Sequence, residues 1–411
     1  MSGVAPALDS VLAGVLGGQS PVRLRAWDGS EAGPADAPVI ELRSVDAIRR
    51  LLWRPGELGA AQAYVTGELD VPEDDGWTLE TALTHALGAA RARTRPRTSP
   101  ENLLRGLATA VRLGALGRPP ARPLTQAQIG GRLHSRGRDR RAISHHYDLS
   151  NEFYSLILDD SMAYSCGYHE RPDTPLAEAQ QAKLSLICTK LGLTDDSTLL
   201  DVGCGWGSLS LHAAEHFGAK VVGVTISAEQ KRFIDARIAE RGLVGRVDIR
   251  LQDYREVPER DHFDAVCSVE MGEHVGRRNY PIYARALHDA VRLGGRILVQ
   301  QMSRSGRHRG GGPFIESFIA PDMYMRPVGE TIQLLTDSGL ELRGVEALRE
   351  HYVWTVAGWL ERFEHNAERL TELVGPEAMR VWRLYLVGGS LAFRDGRMGV
   401  DQILLERTGT P

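Results

Sequence analysis

A glycine-rich turn at the end of an apolar run is the first feature of this chain that could do chemistry. Residues 199–207 read Leu-Leu-Asp-Val-Gly-Cys-Gly-Trp-Gly, and a helical pattern follows them. Glycines let a backbone turn tightly and approach a ligand, while the first turn of a following helix presents free N–H groups. The nicotinamide-binding fingerprint requires glycine or alanine at position 208, where this chain has Ser208. The turn therefore predicts a ligand site of another class.

Alternating strand and helix patterns surround this turn and would position it. The predicted strands are 198–202, 220–225, 247–251, 263–269 and 296–301. The predicted helices are 209–217, 229–240 and 280–291. Such alternation is typical of an α/β protein with a parallel, doubly wound sheet, whose ligands bind at the carboxyl ends of the strands. Two further strands are predicted at 340–348 and 398–406, with a helical insertion at 353–392.

The chain before residue 142 has a different character, which divides the sequence into three segments. Residues 1–90 mix strand patterns with a helix at 45–53, which predicts a small α+β domain. Residues 91–141 hold 13 arginines and five prolines against two acidic residues, which predicts a linker. An amphipathic helix is predicted within that linker at 102–116. Residues 142–411 form the large α/β domain.

The Arg-rich segment has three interpretations. A basic amphipathic helix can rest on anionic lipid headgroups, where each cation near the surface contributes about 1 kcal/mol. It can also be a core-packed helix with one solvated face, beside a flexible linker. Nucleic acid binding is not predicted, because no interleaved aromatic residues are present for base stacking. The lipid hypothesis depends on Arg132, Arg136, Arg138, Arg140 and Arg141.

Asp201, placed before Gly-x-Gly-x-Gly, resembles the first motif of class I S-adenosylmethionine-dependent methyltransferases. Most of those enzymes end their second strand with an acidic residue that binds ribose, whereas residues 223–227 read Gly-Val-Thr-Ile-Ser. Together with further motifs, the sequence resembles the cyclopropane-fatty-acyl-phospholipid synthases and the related mycolic-acid methyltransferases. Those motifs are His-Tyr-Asp-Leu-Ser-Asn (146–151), Tyr-Ser-Cys (164–166), Gln-Gln-Ala-Lys (180–183), Val-Gly-Val-Thr-Ile-Ser-Ala-Glu-Gln (222–230), Gln-Asp-Tyr-Arg (252–255) and Glu-His-Val-Gly (273–276).

This resemblance implies a fold, a reaction and a site. The fold is a class I methyltransferase (Rossmann-like) doubly wound sheet with helical insertions, plus a smaller N-terminal α+β domain for lipid handling or dimerisation, hence a homo-oligomer. The reaction is methyl transfer from S-adenosylmethionine to the cis double bond of a phospholipid acyl chain, with the carbocation deprotonated by bound bicarbonate. The implied catalytic residues are Cys166, Glu273, Gln300 and Tyr352. The implied cofactor-binding residues are Tyr164, Ser165, Gly203, Gly205, Thr225, Ile226, Gln230, Gln252 and Asp253.

Three of the implied catalytic residues also have an ordinary structural interpretation. A lone cysteine such as Cys166 is often a small buried hydrophobe. Glu273 would suit the first turn of a helix, where the helix dipole favours a carboxylate. Tyr352 would serve as a packing aromatic. The surrounding motifs favour the functional interpretation of all three, with Cys166 as a ligand and not as a nucleophile.

Nearby aromatic and histidine residues allow similar alternatives. The ring faces of Tyr147, Tyr164 and Tyr168 would stabilise a sulfonium or a carbocation, and ordinary packing explains them almost as well. His145 and His146 are adjacent in sequence and have no carboxylate cluster beside them, so we predict a structural role and no metal site.

Gln300 occupies the position of a family histidine that supports bicarbonate. A glutamine amide donates an N–H to an anion but does not titrate, so proton disposal would differ here. The runs 300–304, 268–273 and 311–321 resemble the branch that methylates oleoyl phospholipid toward 10-methylstearic (tuberculostearic) acid. We therefore predict a 10-methylene-branched product, reduced later by a separate flavin- or nicotinamide-dependent partner. Cyclopropane formation is the alternative product.

Composition bounds the remaining possibilities. The four cysteines form no zinc-type Cys-x-x-Cys pair, and no uncharged stretch approaches the length that spans a bilayer. These features predict a cytoplasmic protein, held peripherally at the inner face of the cell membrane by its phospholipid substrate. Two hypotheses of other classes remain open, namely methylation of a small polar metabolite and a non-catalytic lipid carrier.

Overall fold

The structure of the chain is a computed structural model. It describes residues 3–73, 76–92, 99–131, 133, 137, 138, 150–306 and 309–409. Two compact units are present. The first takes the chain up to Gln126 together with Val374–Leu391, and the second takes Ala127–Leu373 and the chain from Ala392 onward. The division after Gln126 falls inside the segment 91–141 that the sequence predicts to be a linker.

The first unit is a small α+β structure. Its helices are α1 (Val4–Leu16), α2 (Val45–Trp53), α3 (Glu57–Val65), α4 (Leu79–Ala92) and α5 (Pro100–Arg112). Its strands are β1 (Arg23–Ala26), β2 (Glu31–Ala32), β3 (Val39–Leu42) and β4 (Leu69–Asp70), in the sheet order β2-β1-β3-β4. Strands β1 and β3 are parallel, and the two outer strands are antiparallel to them. Helix α2 begins after Ser44, whose side chain accepts a hydrogen bond from Asp46 N.

Helix α5 occupies much of the predicted amphipathic helix 102–116. Asn102 donates from Nδ2 to Gly14 O of α1 at 2.6 Å, so one side of α5 packs against α1. Four of its apolar side chains are nevertheless more than half exposed, namely Leu103, Leu104, Leu107 and Val111. Packing into a core therefore explains only part of this helix.

Arg138, which the lipid hypothesis includes, is engaged within the second unit. Its guanidinium forms a bidentate ion pair with Asp322, with Nε–Oδ2 and Nη2–Oδ1 distances of 2.5 and 2.8 Å. Both side chains are largely buried. Arg138 is therefore held by a carboxylate and not presented to a headgroup. Arg132, Arg136, Arg140 and Arg141 lie outside the described residues.

The second unit is built on a seven-stranded sheet. Its strands are β5 (Thr198–Val202), β6 (Lys220–Thr225), β7 (Val247–Leu251), β8 (Phe263–Val269), β9 (Val291–Ser303), β10 (Glu341–Ala347) and β11 (Gly399–Glu406). Their order is β10-β11-β9-β8-β5-β6-β7. The five strands β5 to β9 are parallel, as predicted. The last two depart from a wholly parallel sheet, because β11 is antiparallel to β9 and β10 is antiparallel to β11.

Helices cover both faces of this sheet. The helices of the second unit are α6 (Asn151–Ile157), α7 (Leu176–Leu191), α8 (Ser208–Phe217), α9 (Ala228–Glu240), α10 (Tyr280–Ala290), α11 (Pro313–Phe318), α12 (Val328–Thr336) and α13 (Arg349–His365). Helix α14 (Ala367–Arg394, broken at Gly375) belongs in part to the first unit, which includes Val374–Leu391. Successive strand residues point to opposite faces, so Leu199 joins the core with α7 to α9 while Leu200 joins the core with α10 and α12. The predicted doubly wound arrangement is confirmed.

The strand order reverses at β5, which lies between β6 and β8. In a doubly wound sheet, the carboxyl ends of strands at such a reversal form a crevice for ligands. The glycine turn follows β5 there, and Glu270 follows β8. Within the described part of the chain, no helix is both long and apolar enough to cross a bilayer.

Candidate active site

A cavity of about 1250 Å³, counting its open side, lies at the carboxyl ends of β5, β6 and β8. All nine predicted cofactor-binding residues line it: Tyr164, Ser165, Gly203, Gly205, Thr225, Ile226, Gln230, Gln252 and Asp253. Of the four predicted catalytic residues, Cys166, Glu273, Gln300 and Tyr352, none forms part of the cavity wall. Glu270 does line the cavity. The four predicted catalytic residues therefore lie behind the residues that form the cavity wall.

The glycine turn is held against β6 and needs its glycines. The N–H groups of Gly203 and Cys204 both donate to Val224 O, at 3.0 and 3.1 Å. Gly203 has φ 80°, and a Cβ there would lie 2.8 Å from Met271 Cγ. Gly205 has φ 56°, and a Cβ there would meet nothing within 4 Å, because it faces empty space. The turn thus leaves room in the cavity where any other residue would place a side chain.

Two buried charged groups stand in the cavity wall beside this turn. Asp201 accepts a hydrogen bond from the Ser210 hydroxyl at 2.7 Å, and burial raises the pKa of Asp201 to about 6. Lys183 donates from Nζ to Ser165 Oγ at 2.9 Å. Burial lowers the pKa of Lys183, and nearby carboxylates, Glu270 first among them, oppose that effect. The wall therefore carries charges whose fields are little screened by water.

The wall formed by β6 and β7 is polar but has no acidic residue at the end of β6. The Thr225 hydroxyl donates to Gln230 Oε1 at 2.9 Å, which holds both side chains inside the wall. Gln252 donates from Nε2 to Glu256 O at 2.7 Å. The Asp253 carboxylate accepts from Nε and Nη2 of Arg255, at 2.8 and 2.6 Å. Hydroxyl, amide and carboxylate groups suited to a ribose or an adenine therefore meet at one edge of the cavity.

Three of the four predicted catalytic residues converge on Glu270. The Cys166 backbone N–H and Gln300 Nε2 both donate to Glu270 Oε1, each at 2.8 Å. The Tyr352 hydroxyl donates to Glu270 Oε2 at 2.6 Å. Burial raises the pKa of Glu270, while these three hydrogen bonds and the Lys183 ammonium act in the opposite direction. Three residues that the resemblance places at bicarbonate thus donate to a carboxylate of the chain itself.

Glu270 also has an unusual backbone. Its φ is 50°, in the left-handed region that residues other than glycine rarely adopt. Its N–H donates to Gln300 O at 2.7 Å, which ties the residue to β9. Such conformations persist only where the surrounding structure holds them, and they concentrate at functional sites.

Glu273 lies just beyond β8, as predicted, but does not share the donors of Glu270. It lies in a short 3₁₀ turn at Gly272–His274 and is fully buried. Its Oε1 accepts from Met302 N at 2.5 Å, and Oε2 has no hydrogen-bond partner among the described residues. Burial first, and then the charge of Glu270, raise the pKa of Glu273 to about 8. Glu273 therefore holds a proton at neutral pH.

The thiol of Cys166 plays no part in binding Glu270. The side chain is fully buried, and Sγ donates to Gly167 O and Leu348 O at 3.3 and 3.7 Å. Burial raises the pKa of this thiol well above its ordinary value. Because the thiolate is the reactive form, Cys166 is no nucleophile. Its contribution to the site is its backbone N–H.

Comparison with known proteins places the chain in a family. The family model described as mycolic acid cyclopropane synthetase matches residues 134–403. The chain belongs to this family.

Relatives in the family extend the likeness over most of the chain. A probable fatty acid methyltransferase of Pseudomonas putida is 36% identical over 395 residues, covering 93% of this chain and 91% of the relative. The tuberculostearic acid methyltransferase UfaA1 of Mycobacterium tuberculosis is 35% identical over 407 residues, covering 95% and 89%. The crystal structure of mycolic acid cyclopropane synthase CmaA1, complexed with SAH and CTAB, has a TM-score of 0.61 and 29% identity, covering 65% of this chain and 98% of that one. The chain is accordingly an S-adenosylmethionine-dependent methyltransferase.

In this member of the mycolic acid cyclopropane synthetase family, Glu270 is the site residue that sequence reasoning missed. The run 268–273 served above only to indicate a branch of the family. A carboxylate directly after the end of β8 was the available signal, because ligands bind at the carboxyl ends of such strands.

The predicted tyrosines fall in different places. Tyr164 lines the cavity, and its ring lies against Tyr154 and Trp359, with centroid distances of 5.7 and 5.2 Å. Tyr168 stacks on His351 at 4.9 Å and is not part of the cavity wall. Tyr147, His145 and His146 lie outside the described residues. In the described ranges, no cluster of histidine, cysteine and acidic side chains is arranged to hold a metal ion.

Proposed function

We propose that this methyltransferase acts on the cis double bond of an oleoyl-type acyl chain in a phospholipid and gives a 10-methylene-branched chain. The proposal rests on one observation, a single cavity whose wall has a polar part and an apolar part. Predicted cofactor-binding residues line it together with apolar side chains and the hydrogen-bonded Glu270. The apolar side chains are Met162, Leu184, Leu209, Val269, Met271 and Val275.

The cofactor side of the cavity fits S-adenosylmethionine. A Cβ at position 205 would fill the space beside the turn. Helix α8 begins at Ser208, directly after the turn, and the first turn of a helix presents backbone N–H groups to a ligand. Gln252 and Asp253 would hold the polar end of the nucleoside, and Tyr164 would present its ring to a cation. When bound, this cofactor supplies an electrophilic methyl group. The chain's own contribution is to align an alkene with that group in a cavity lined partly by apolar side chains.

Bicarbonate, which the family resemblance implies, does not fit this site. The resemblance implies that Cys166, Glu273 and Tyr352 hold it, with Gln300 at the position of a supporting histidine. Cys166 N, Gln300 Nε2 and the Tyr352 hydroxyl all bind Glu270 instead. An anion placed on them would also meet the Glu270 carboxylate as a like charge. We therefore derive no step through bicarbonate.

Two observations favour the methylene product over a cyclopropane. The likeness to the tuberculostearic acid methyltransferase UfaA1 covers 95% of this chain. Gln300 occupies the position of a titratable family histidine and donates to Glu270 Oε1, but its amide cannot accept a proton from the substrate. A saturated 10-methyl chain would then require a separate flavin- or nicotinamide-dependent reductase.

We also propose that the protein binds the phospholipid surface peripherally, at the inner face of the cell membrane. The exposed leucines of α5 lie on the same helix as Arg105 and Arg112. Apolar side chains interspersed with cations are typical of helices that rest on anionic headgroups.

Product analysis tests the proposed function directly. The purified chain and S-adenosylmethionine are incubated with vesicles of dioleoyl phosphatidylglycerol, and the released fatty acids are separated by gas chromatography with mass detection. We expect a product heavier by one methylene, with an exomethylene signal in proton NMR. Distearoyl vesicles provide the matched control, because their chains have no double bond. A cyclopropane signal would select the alternative product, and methylation of soluble metabolites without lipid would contradict the proposal.

A further inference from the structure

The geometry points to Glu270 as the general base of the reaction, a carboxylate built into the chain at the place of an exchangeable anion. This inference rests on the proposed function, because it names the group that takes the proton from the methylated acyl chain.

The hydrogen bonds of Glu270 come from three separate parts of the second unit. Cys166 lies in the segment between α6 and α7, Gln300 lies on β9, and Tyr352 lies on α13. Oε1 accepts two of the hydrogen bonds and Oε2 accepts one. A carboxylate oxygen has two lone pairs, so Oε2 keeps a lone pair with which to accept a proton. The arrangement holds the carboxylate in one orientation at the cavity wall.

The backbone of Glu270 is an independent observation. A left-handed φ of 50° in a residue with a side chain is uncommon, and this residue lines the cavity. The Glu270 backbone N–H donates a hydrogen bond to Gln300 O, and the side chains of the same two residues are also hydrogen-bonded. Two hydrogen bonds between one pair of residues therefore hold both the strained backbone and the carboxylate.

The two buried carboxyl groups of this region divide their roles. The charge of Glu270 is one reason that Glu273 stays protonated, and Glu273 has no cationic partner within hydrogen-bond distance among the described residues. Burial raises the pKa of Glu270 too, whereas its three hydrogen-bond donors and the nearby ammonium of Lys183 act in the opposite direction. Of these two neighbouring carboxyl groups, Glu270 is the one whose hydrogen-bond donors favour ionisation, the form that a base requires.

The proton step balances within the chain and the substrate. Methyl transfer leaves a carbocation next to the methylated carbon, and shift of a hydride from that carbon to its neighbour moves the positive charge to the branch point. A C–H bond of the new methyl group then breaks, and its electron pair forms the double bond between that carbon and the branch-point carbon. The proton passes to Glu270 Oε2, and the carboxylic acid so formed later releases it to water.

The first test measures anion binding and needs no lipid substrate. Thermal unfolding of the full chain is followed in CO2-free buffer with increasing sodium bicarbonate, with sodium chloride at equal ionic strength as the control. We expect no saturable change in the Tm of the wild-type chain. The Glu270→Gly variant, which vacates the three donors, should show a saturable rise in Tm because it binds the anion. A saturable rise in the wild-type chain would overturn the inference.

The second test measures turnover on dioleoyl phosphatidylglycerol vesicles in the same buffer. Glu270→Gln keeps the side-chain volume but removes the base, and we expect its turnover to fall at least about 100-fold, with or without bicarbonate. Glu270→Gly should be equally slow without bicarbonate and should recover about tenfold when it is added. Glu259→Gln removes a carboxylate that is paired with Arg250 outside the cavity, and its turnover should match the wild-type value.

These outcomes separate the inference from the function on which it rests. An active wild-type enzyme that requires bicarbonate, or an active Glu270→Gln variant, would overturn the role of Glu270 and leave the proposed function standing. A wild-type chain that methylates no lipid would sink the proposed function and with it the assignment of this base. Binding of S-adenosylmethionine, measured by calorimetry, should be within about threefold of wild type in both Glu270 variants, since the cofactor residues are untouched.

Discussion

The side-chain amide of Gln402 donates from Nε2 to Oε1 of Gln300 at 2.9 Å. Gln402 Oε1 accepts in turn from Lys190 Nζ at 2.6 Å, and Lys190 also pairs with Glu346. An ammonium group only donates, so Lys190 sets the direction of both amides. Gln300 is left with its N–H group toward Glu270, as the structure shows. A partly buried lysine thereby orients a buried hydrogen bond to the proposed base.

Replacing Lys190 with methionine should disturb the site without touching it. The amide of Gln402 would lose the donor that orients it, so Gln300 would present its oxygen to Glu270 part of the time. We expect kcat to fall roughly tenfold, equivalent to loss of one hydrogen bond to a charged group, with KM for vesicles unchanged. Lys190→Arg should recover most of the loss. Lys220→Met, which removes a surface lysine paired with Asp196, is the control, and equal kcat values for the two methionine variants would refute the orienting role.

The glycine turn predicts a clear effect on cofactor affinity. Gly205→Ala places a methyl group in open space at the cavity wall, where the ligand should lie. We expect the affinity for S-adenosylmethionine to fall at least tenfold, or about 1.4 kcal/mol, by isothermal titration calorimetry. Gly242→Ala is the matched control, because Gly242 has φ 67° and equally open surroundings but lies outside the cavity. Equal affinities of the two variants would show that the cofactor does not need the space beside Gly205.

The buried carboxyl group of Glu273 predicts the pH dependence of stability. Its pKa is about 8 in the folded chain against an ordinary value of 4.5. The unfolded chain therefore loses this proton first as pH rises, and the free energy of unfolding should fall between about pH 4.5 and pH 8. Glu273→Gln stays neutral and keeps an acceptor for Met302 N. As pH rises across that window, the free energy of unfolding of the variant should increase relative to that of wild type by roughly 2–5 kcal/mol, since each pKa unit is worth about 1.4 kcal/mol.

Urea unfolding at pH 5.5 and pH 8.5 would measure that difference. Glu178→Gln, an exposed carboxylate in the first turn of α7, provides the control and should follow the wild-type pH dependence. Parallel curves for wild type and Glu273→Gln would mean that Glu273 is ionised in the folded chain.

The exposed face of α5 predicts how the protein meets its lipid. Changing Leu103, Leu104 and Leu107 to serine should weaken binding to phosphatidylglycerol vesicles, with each exposed leucine contributing on the order of 1 kcal/mol. Cosedimentation at low and high salt measures the effect, and screening should weaken the binding of both forms at high salt. Leu293→Ser, an equally exposed leucine of the second unit, is the control. Unchanged vesicle binding, with loss of self-association in sedimentation velocity, would assign this face to a second copy instead.

Local pattern was enough to determine the parallel part of the sheet and the residues around the cofactor cavity. Strands β5, β6, β7 and β8 begin and end where the apolar runs predict. The inner strands β5, β6 and β8 are largely buried, and the edge strand β7 alternates buried and exposed residues. The nine predicted cofactor-binding residues all follow such strands or lie in motifs beside them, and all line one cavity. Connections in a doubly wound sheet bring these positions to the same edge, so the order of motifs along the chain carried that information.

The tertiary structure alone decided which carboxylate meets the donors. Glu270 and Glu273 lie three residues apart, and nothing in their spacing tells which one faces Cys166, Gln300 and Tyr352. Those partners are 104, 30 and 82 residues away from Glu270 along the chain. The choice depends on the left-handed backbone of Glu270, which turns its side chain to the cavity and is maintained by β9. Burial raises the pKa of both carboxyl groups, and donors from these distant elements oppose that effect at Glu270; no local pattern encodes this difference.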